Sequence, residues 1–208
     1  MSKPRVIIAD DHRLVVAGLK ELLSTECEVF STVYDGVSLL ADARRLRPDI
    51  ILLDISMPHG GLEMLVKLRQ VDPEMKTIVV TMNEDPDVAA EAFRRGASAY
   101  VLKSSAPSEL LEALQLVVDR QVYVTPRVAG GIINSLTNSV PTTSASQLSR
   151  RQRDVLRLLA NGKSMKEAAA ELNLAVATVS FHKYRMMNQL NIKTTAELIR
   201  FAVAQHIV

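Results

Sequence analysis

The chain has no tryptophan, one cysteine and an aromatic fraction of only 4% in 208 residues. Cys27 alone cannot close an intramolecular disulfide or supply a two-cysteine metal motif, so disulfide-stapled scaffolds and zinc ribbons are excluded and a reducing, cytoplasmic setting is expected. Long hydrophobic runs are missing too. Nothing approaches the about eighteen apolar residues of a membrane span, and the opening Met1-Ser-Lys-Pro-Arg leads only into the short run Val6 to Ala9, too brief for a signal-peptide core. Glycine and proline, eight of each, are too few for fibrous or collagen-like chains, while 48% apolar and 23% charged residues are ordinary globular composition.

The net charge of +2 conceals a split. Residues 1–147 carry fifteen lysines and arginines against nineteen carboxylates, and residues 148–208 carry ten against four, giving −4 and +6. A basic excess confined to a small C-terminal piece points to a nucleic-acid-facing domain.

The first part alternates apolar, β-branched runs with stretches of helical period, the pattern of a parallel sheet with crossover helices. Five strands are expected, at Val6 to Ala9, Val29 to Val33, Ile50 to Leu53, Thr77 to Thr81 and Ala99 to Leu102. Their nearly unbroken hydrophobicity fits burial on both faces. Leu14, Leu19, Leu22 and Leu23 share one face of the first helix, and Leu110, Leu111, Leu114 and Val118 repeat on the last. The economical reading is a (βα)5 α/β fold, flavodoxin-like. From Asn134 to Gln147 the run NSLTNSVPTTSASQ has seven Ser/Thr and no charge, which suits a linker. Beyond it, Ser149 with Gln152, Ser164 with Glu167 and Thr194 with Glu197 have capping-box spacing. With residues 176–190 between the last two, they define a small all-α unit of four helices. Gly162 is placed to end the first.

In open α/β sheets the ligand site lies beyond the carboxyl ends of the strands. Here Asp10 and Asp11 end the first strand, Asp54 the third, Thr81 the fourth and Lys103 the fifth. Three converging carboxylates repel one another unless a hard cation neutralises them, and oxygen donors suit Mg²⁺. A lone Asp after a strand is usually a helix cap, but that reading does not account for Asp54, Thr81 and Lys103 together. The arrangement resembles the receiver domain of two-component response regulators over roughly residues 4–122. The resemblance implies that Asp54 accepts a phosphoryl group from a histidine kinase. Asp11, Asp54 and the Ser56 carbonyl would hold Mg²⁺, with Asp10 acting through water. Lys103 and Thr81 would meet the phosphoryl oxygens, and Tyr100 matches the aromatic that turns inward when the threonine moves. His12, His59, His182 and His206 show no ligand or catalytic spacing, and His12 is read as structural or solvated.

One departure stands out. Ile55-Ser-Met-Pro-His-Gly-Gly-Leu-Glu63 is one residue shorter between Pro58 and Gly61 than the commonest family form. Gly60 and Gly61 are expected to absorb the change with backbone angles other residues avoid.

The stretch Leu148-Ser-Arg-Arg-Gln-Arg-Asp-Val-Leu-Arg-Leu-Leu-Ala-Asn-Gly-Lys-Ser164 through Thr178-Val-Ser-Phe-His182 is similar to the LuxR-type helix-turn-helix domain. With the receiver, it makes the chain resemble a NarL/FixJ response regulator, with the receiver at 1–124, a linker region at 125–147 and the DNA-binding domain at 148–208. The family places its third helix, here roughly 176–190, in the major groove. Val179, Met186 and Leu190 are expected to be its buried stripe. On the other side, Ser180, Phe181 and Tyr184 take base-reading positions by analogy, while Lys166, Lys183 and Arg185 suit phosphate contacts. Ala175 stands where the family usually has a capping serine, and Gln152 where it has glutamate. The apolar Ala196, Leu198, Ile199, Ala202 and Val203 fit either pairing with a second copy or packing within the domain.

The leading expectation is therefore a transcription regulator, not an enzyme beyond slow self-phosphorylation and autodephosphorylation, with a histidine kinase, promoter DNA and a second copy of itself as partners. The alternative is a phosphorylation-independent DNA-binding regulator whose receiver is a protein-interaction module. An aspartyl phosphatase is disfavoured because Ile55 and Ser56 replace the Asp-x-Asp that many such enzymes use.

Overall fold

The computed structural model describes residues 3–137, 148–205 and 207–208. It divides into two compact units, Met1–Ser135 and Leu136–Val208.

In the first unit β1 (Arg5–Ala9), α1 (Arg13–Leu23), β2 (Glu28–Val33), α2 (Gly36–Leu46), β3 (Ile50–Leu53), α3 (Glu63–Val71), β4 (Lys76–Thr81), α4 (Pro86–Arg94), β5 (Ala99–Leu102) and α5 (Pro107–Val118) alternate as expected. The strands form a parallel sheet in the order β2-β1-β3-β4-β5. Every residue of β3 and β5 is buried, which explains their lack of polar alternation. Val6, Ile8, Leu52, Val80 and Val101 meet Leu110, Leu114 and Val117 of α5 in one core cluster. The helix faces differ in detail from expectation. Leu14 is 87% exposed and Val16 takes the buried position, while on α5 Val118 is exposed and Val117 buried. Periodicity locates an amphipathic face but does not say which flank the sheet covers. Burial pushes the Cys27 thiol up to about 11, with Glu26 adding to the effect, so the single cysteine is an inert core residue.

The chain then adds a sixth strand, β6 (Tyr123–Val124), which pairs in parallel with β5 through Ala99↔Tyr123 and Tyr100↔Val124. Helix α6 (Pro126–Thr137) follows. Residues 125–137 of the expected linker region thus begin with a buried Thr125 and continue as a helix whose Val128 and Ile132 are buried. Periodicity could not reveal this, because two strand residues are too few to show a pattern. The remaining linker residues, 138–147, lie outside the described residues.

The second unit consists of α7 (Arg150–Ala160), α8 (Met165–Glu171), α9 (Val176–Gln189) and α10 (Thr195–Ala204). All three expected capping boxes are formed, by Ser149 with Gln152, Ser164 with Glu167 and Thr194 with Glu197. Three helices end alike. Gly162, Asn173 and Asn191 adopt positive φ, and the next residue's N–H reaches back to Leu158, Ala169 and Met187 respectively. Val155, Leu156, Ala168, Val179, Met186, Leu198 and Ala202 form a separate core.

Candidate functional site

The parallel register delivers the ends of β1, β3, β4 and β5 to one edge of the sheet. Asp10 and Asp54 emerge from neighbouring strands, with the Asp54 N–H bonded to the Ala9 carbonyl at 2.8 Å. Both are buried, and Thr81 is fully so. Lys103 reaches over from the end of β5 and places Nζ 2.6 Å from Asp10 Oδ2 and 2.6 Å from Asp54 Oδ2. Burial opposes the lysine's charge, but hydrogen bonds to Asp10 and Asp54, together with their negative charge, hold its pKa above the ordinary value. The other Asp54 oxygen accepts the Ser56 N–H at 2.8 Å. One cation and one backbone dipole thus fix the orientation of a buried carboxylate.

Carboxylate oxygens of Asp10, Asp11 and Asp54 and a ring nitrogen of His12 lie within 4.8 Å of one another. The three carboxylates of this group fit a hard divalent cation, which takes carboxylate oxygens and keeps waters, whereas an imidazole nitrogen is not a donor such an ion prefers. His12 is a residue that sequence reasoning set aside. Its Nδ1 sits 2.9 Å from Asp11 Oδ1 and 3.2 Å from Asp10 Oδ1, although its side chain is 63% exposed. Its backbone N–H also donates to Asp10 Oδ1, at 2.9 Å, so the tight turn into α1 folds the ring back onto the carboxylates. Adjacency to Asp11 was the available signal, but sequence spacing does not give the turn's geometry.

At the other side of the pocket Thr81 Oγ1 accepts the Asn83 N–H at 3.2 Å, and the Tyr100 hydroxyl donates to the Asn83 carbonyl at 2.8 Å. Tyr100 is fully buried, and burial, then Asp85 and Asp54, drives its pKa far above the usual phenol value. The loop after β4 is therefore tied to both residues expected to take part in a switch. In the shortened loop the unusual angles fall on His59 (φ 53°) and Gly61 (φ 80°), while Gly60 keeps ordinary ones. The expectation for Gly60 is corrected because the turn closes one residue earlier, with the Gly60 N–H on the Met57 carbonyl and the Gly36 N–H on that of Pro58.

In the helical unit, Val179, His182, Met186 and Met187 of α9 face the core; Leu190, expected there, is half-buried as the capping residue. Tyr184 is 59% exposed, and Ser180, Phe181, Lys183 and Arg185 are partly exposed beside it. Arg185 lies 5.8 Å from the centre of the Phe181 ring, and Lys183 lies 5.6 Å from that of Tyr184, distances at which a cation is attracted to a ring. Lys166 is exposed on α8. No side chain caps α9 at Ala175. The change to Gln152 has a counterpart, since Nε2 donates to Gln189 Oε1 at 2.7 Å while Oε1 serves the capping box, linking α7 to α9. On α10, Leu198 and Ala202 are core residues, whereas Ala196 and Val203 are exposed.

Residues 6–115 match the response regulator receiver domain family, and residues 146–202 match the bacterial regulatory proteins of the luxR family. The chain belongs to the response regulators. This response regulator is 32% identical to the oxygen regulatory protein NreC of Staphylococcus epidermidis, over 98% of the chain and 99% of the relative. NreC of Staphylococcus carnosus is 31% identical over the same shares. Among solved structures it is similar to an RcsB–DNA complex, at 26% identity and a TM-score of 0.63, with 98% of this chain and 99% of that one covered. It also resembles RcsB of Salmonella enterica serovar Typhimurium bound to promoter P1flhDC in the presence of phosphomimetic BeF3−, at 25% identity, full coverage of both chains and a TM-score of 0.64. The response regulator controls transcription, with a receiver unit preceding a LuxR-type helix-turn-helix unit. Among the described residues no helix is long and apolar enough to cross a membrane.

Proposed function

We propose that a histidine kinase phosphorylates Asp54 and that the modification switches dimerisation and sequence-specific DNA binding. The observation that carries this reading is Lys103 Nζ at 2.6 Å from both Asp10 and Asp54, beyond the carboxyl ends of the strands. A carboxylate oxygen of Asp54 attacks phosphorus, the P–N bond of the kinase phosphohistidine breaks, and its electron pair stays on the imidazole nitrogen, which takes up a proton. Lys103 turns from the carboxylates to the transferred oxygens, and Thr81 donates its hydroxyl to one of them. Such chemistry is mainly positioning and charge neutralisation. Asp11 and Asp54, with the Ser56 carbonyl, would hold Mg²⁺, and Asp10 would act through water. The ion would supply neutralisation of the phosphoryl charge.

In the helical unit, Ser180, Phe181 and Tyr184 are assigned to base edges and Lys166, Lys183 and Arg185 to phosphates, which fix position more than sequence. RcsB has been solved as dimers bound to DNA, which supports DNA and a second copy as partners here. Exposed Ala196 and Val203 on α10 are the candidate contact between helical units. We place the protein in the bacterial cytoplasm.

The test is intact mass after incubation with Mg²⁺ and acetyl phosphate, on wild type and Asp54→Ala. One phosphoryl addition in the wild type alone supports the reading. Equal masses with this donor and with phosphoramidate overturn it in favour of phosphorylation-independent DNA binding.

A further inference from the structure

Residues 125–132 form a strap over the two structural elements that a phosphoryl group at Asp54 would disturb. At one end the strap is bonded to β5. The Thr125 N–H donates to the Tyr100 carbonyl at 3.0 Å, and Thr125 Oγ1 accepts the Leu102 N–H at 3.2 Å, immediately before Lys103. At the other end it lies on the start of α4. Arg127 pairs with Glu84 at 2.7 Å. Gly131 approaches Pro86 so closely that a Cβ there would lie 2.3 Å from Pro86 Cγ and 2.6 Å from its Cβ. Between these ends Val128 and Ile132 are buried.

Residues 83–86 therefore have two sets of partners. From the pocket side, Asn83 is held by Thr81 Oγ1 and the Tyr100 hydroxyl. From the outer side, Glu84 and Pro86 are held by Arg127 and Gly131. A hydroxyl can donate and accept at once, but rotation of the Thr81 side chain toward a phosphoryl oxygen carries Oγ1 away from the Asn83 N–H, and that movement releases one of the ties that set the loop's position. A contact with no room for a methyl group does not survive a shift of the proline ring unchanged.

We propose that the strap is the element by which the receiver reports phosphorylation: occupation of Asp54 moves residues 83–86, the Gly131–Pro86 and Arg127–Glu84 contacts are lost, and α6 loosens from α4. In sequence α6 is the last described element before the helix-turn-helix unit. An effect of this kind needs an element whose two states a modification favours unequally. The inference rests on the phosphorylation of Asp54 proposed above.

The test is backbone hydrogen exchange of residues 126–132 in the full chain, with Mg²⁺ alone and with Mg²⁺ plus acetyl phosphate, with intact mass recorded on the same samples. The expected result is exchange faster by about tenfold in the phosphorylated form, as local opening becomes easier. Gly131→Ala, which favours the helix itself but wedges the contact, is expected to exchange quickly in both conditions while still gaining the phosphoryl mass. Arg127→Glu is expected to loosen α6 in part, and adding Glu84→Arg to restore protection. Mass gain with unchanged α6 exchange overturns the strap inference and leaves the chemistry standing. Protection of α6 in Gly131→Ala equal to wild type also overturns it. No mass gain overturns the phosphorylation reading, and the strap inference falls with it.

Discussion

Tyr100 donates its hydroxyl to the backbone carbonyl of Asn83 at 2.8 Å, while the N–H of the same Asn83 is held by Thr81. A fully buried phenol with a polar tip needs such a partner, and here the partner belongs to the loop that must respond to the pocket. Tyr100→Phe keeps the ring's packing and removes the donor. The expected loss is about 1 kcal/mol in urea unfolding, with phosphoryl mass gain retained.

Lys103 is the only cation that the structure places between Asp10 and Asp54 among the described residues. Lys103→Met leaves two buried carboxylates facing each other, with an expected cost on the order of 3 kcal/mol without divalent ions. Adding Mg²⁺ is expected to stabilise the variant more than the wild type, read as the shift in thermal midpoint, while mass gain from acetyl phosphate is strongly reduced.

The same lysine sets an alkaline limit. Its pKa in the folded chain is raised by Asp10 and Asp54, so its contribution is complete below the ordinary lysine value of about 10.4 and is lost as pH rises through the higher folded value. Unfolding midpoints across this window are expected to fall more steeply in wild type than in Lys103→Met. Parallel curves would show that the pair contributes nothing to stability.

A Cβ at position 36 would meet the His59 carbonyl oxygen at 1.9 Å, so the shortened loop rests directly on the start of α2. Gly36→Ala is expected to cost roughly 1–3 kcal/mol, because neither backbone can yield without strain. It should also slow phosphorylation by displacing the loop that follows Asp54, measured as the rate of mass gain.

Gln152→Glu restores the commoner capping-box residue but removes the Nε2 donor to Gln189. The exposed Gln189 amide must then turn over to present Nε2 to the carboxylate, and the expected change in stability is small, under about 1 kcal/mol. In the same assay series, Lys166→Ala should lower the salt slope of DNA binding by about one, whereas Tyr184→Ala should alter discrimination among sites.

The core strands and the pocket were legible because each rests on a local rule. Buried parallel strands are written as runs such as Ile50 to Leu53, and the pocket residues stand where those runs stop. The capping boxes at Ser149, Ser164 and Thr194 were equally readable, since spacing of three residues is all the motif needs. The folding back of His12 onto Asp11 was not readable, nor was the second hydrogen bond of Gln152, because both depend on directions that side chains take after the turn or helix is built.

By itself the sequence determined a receiver-like unit followed by a basic helical one, the strand ends that bear Asp10, Asp11, Asp54, Thr81 and Lys103, and a helix at roughly 176–190. Tertiary structure alone decided that Val16 rather than Leu14 is buried, that His59 and Gly61 absorb the short loop, and that residues 123–132 return to the receiver as β6 and α6. Periodicity and spacing are properties of a chain read in one dimension. Which flank of a helix is covered, and whether Gly131 meets Pro86, depend on surfaces that exist only once distant segments have packed.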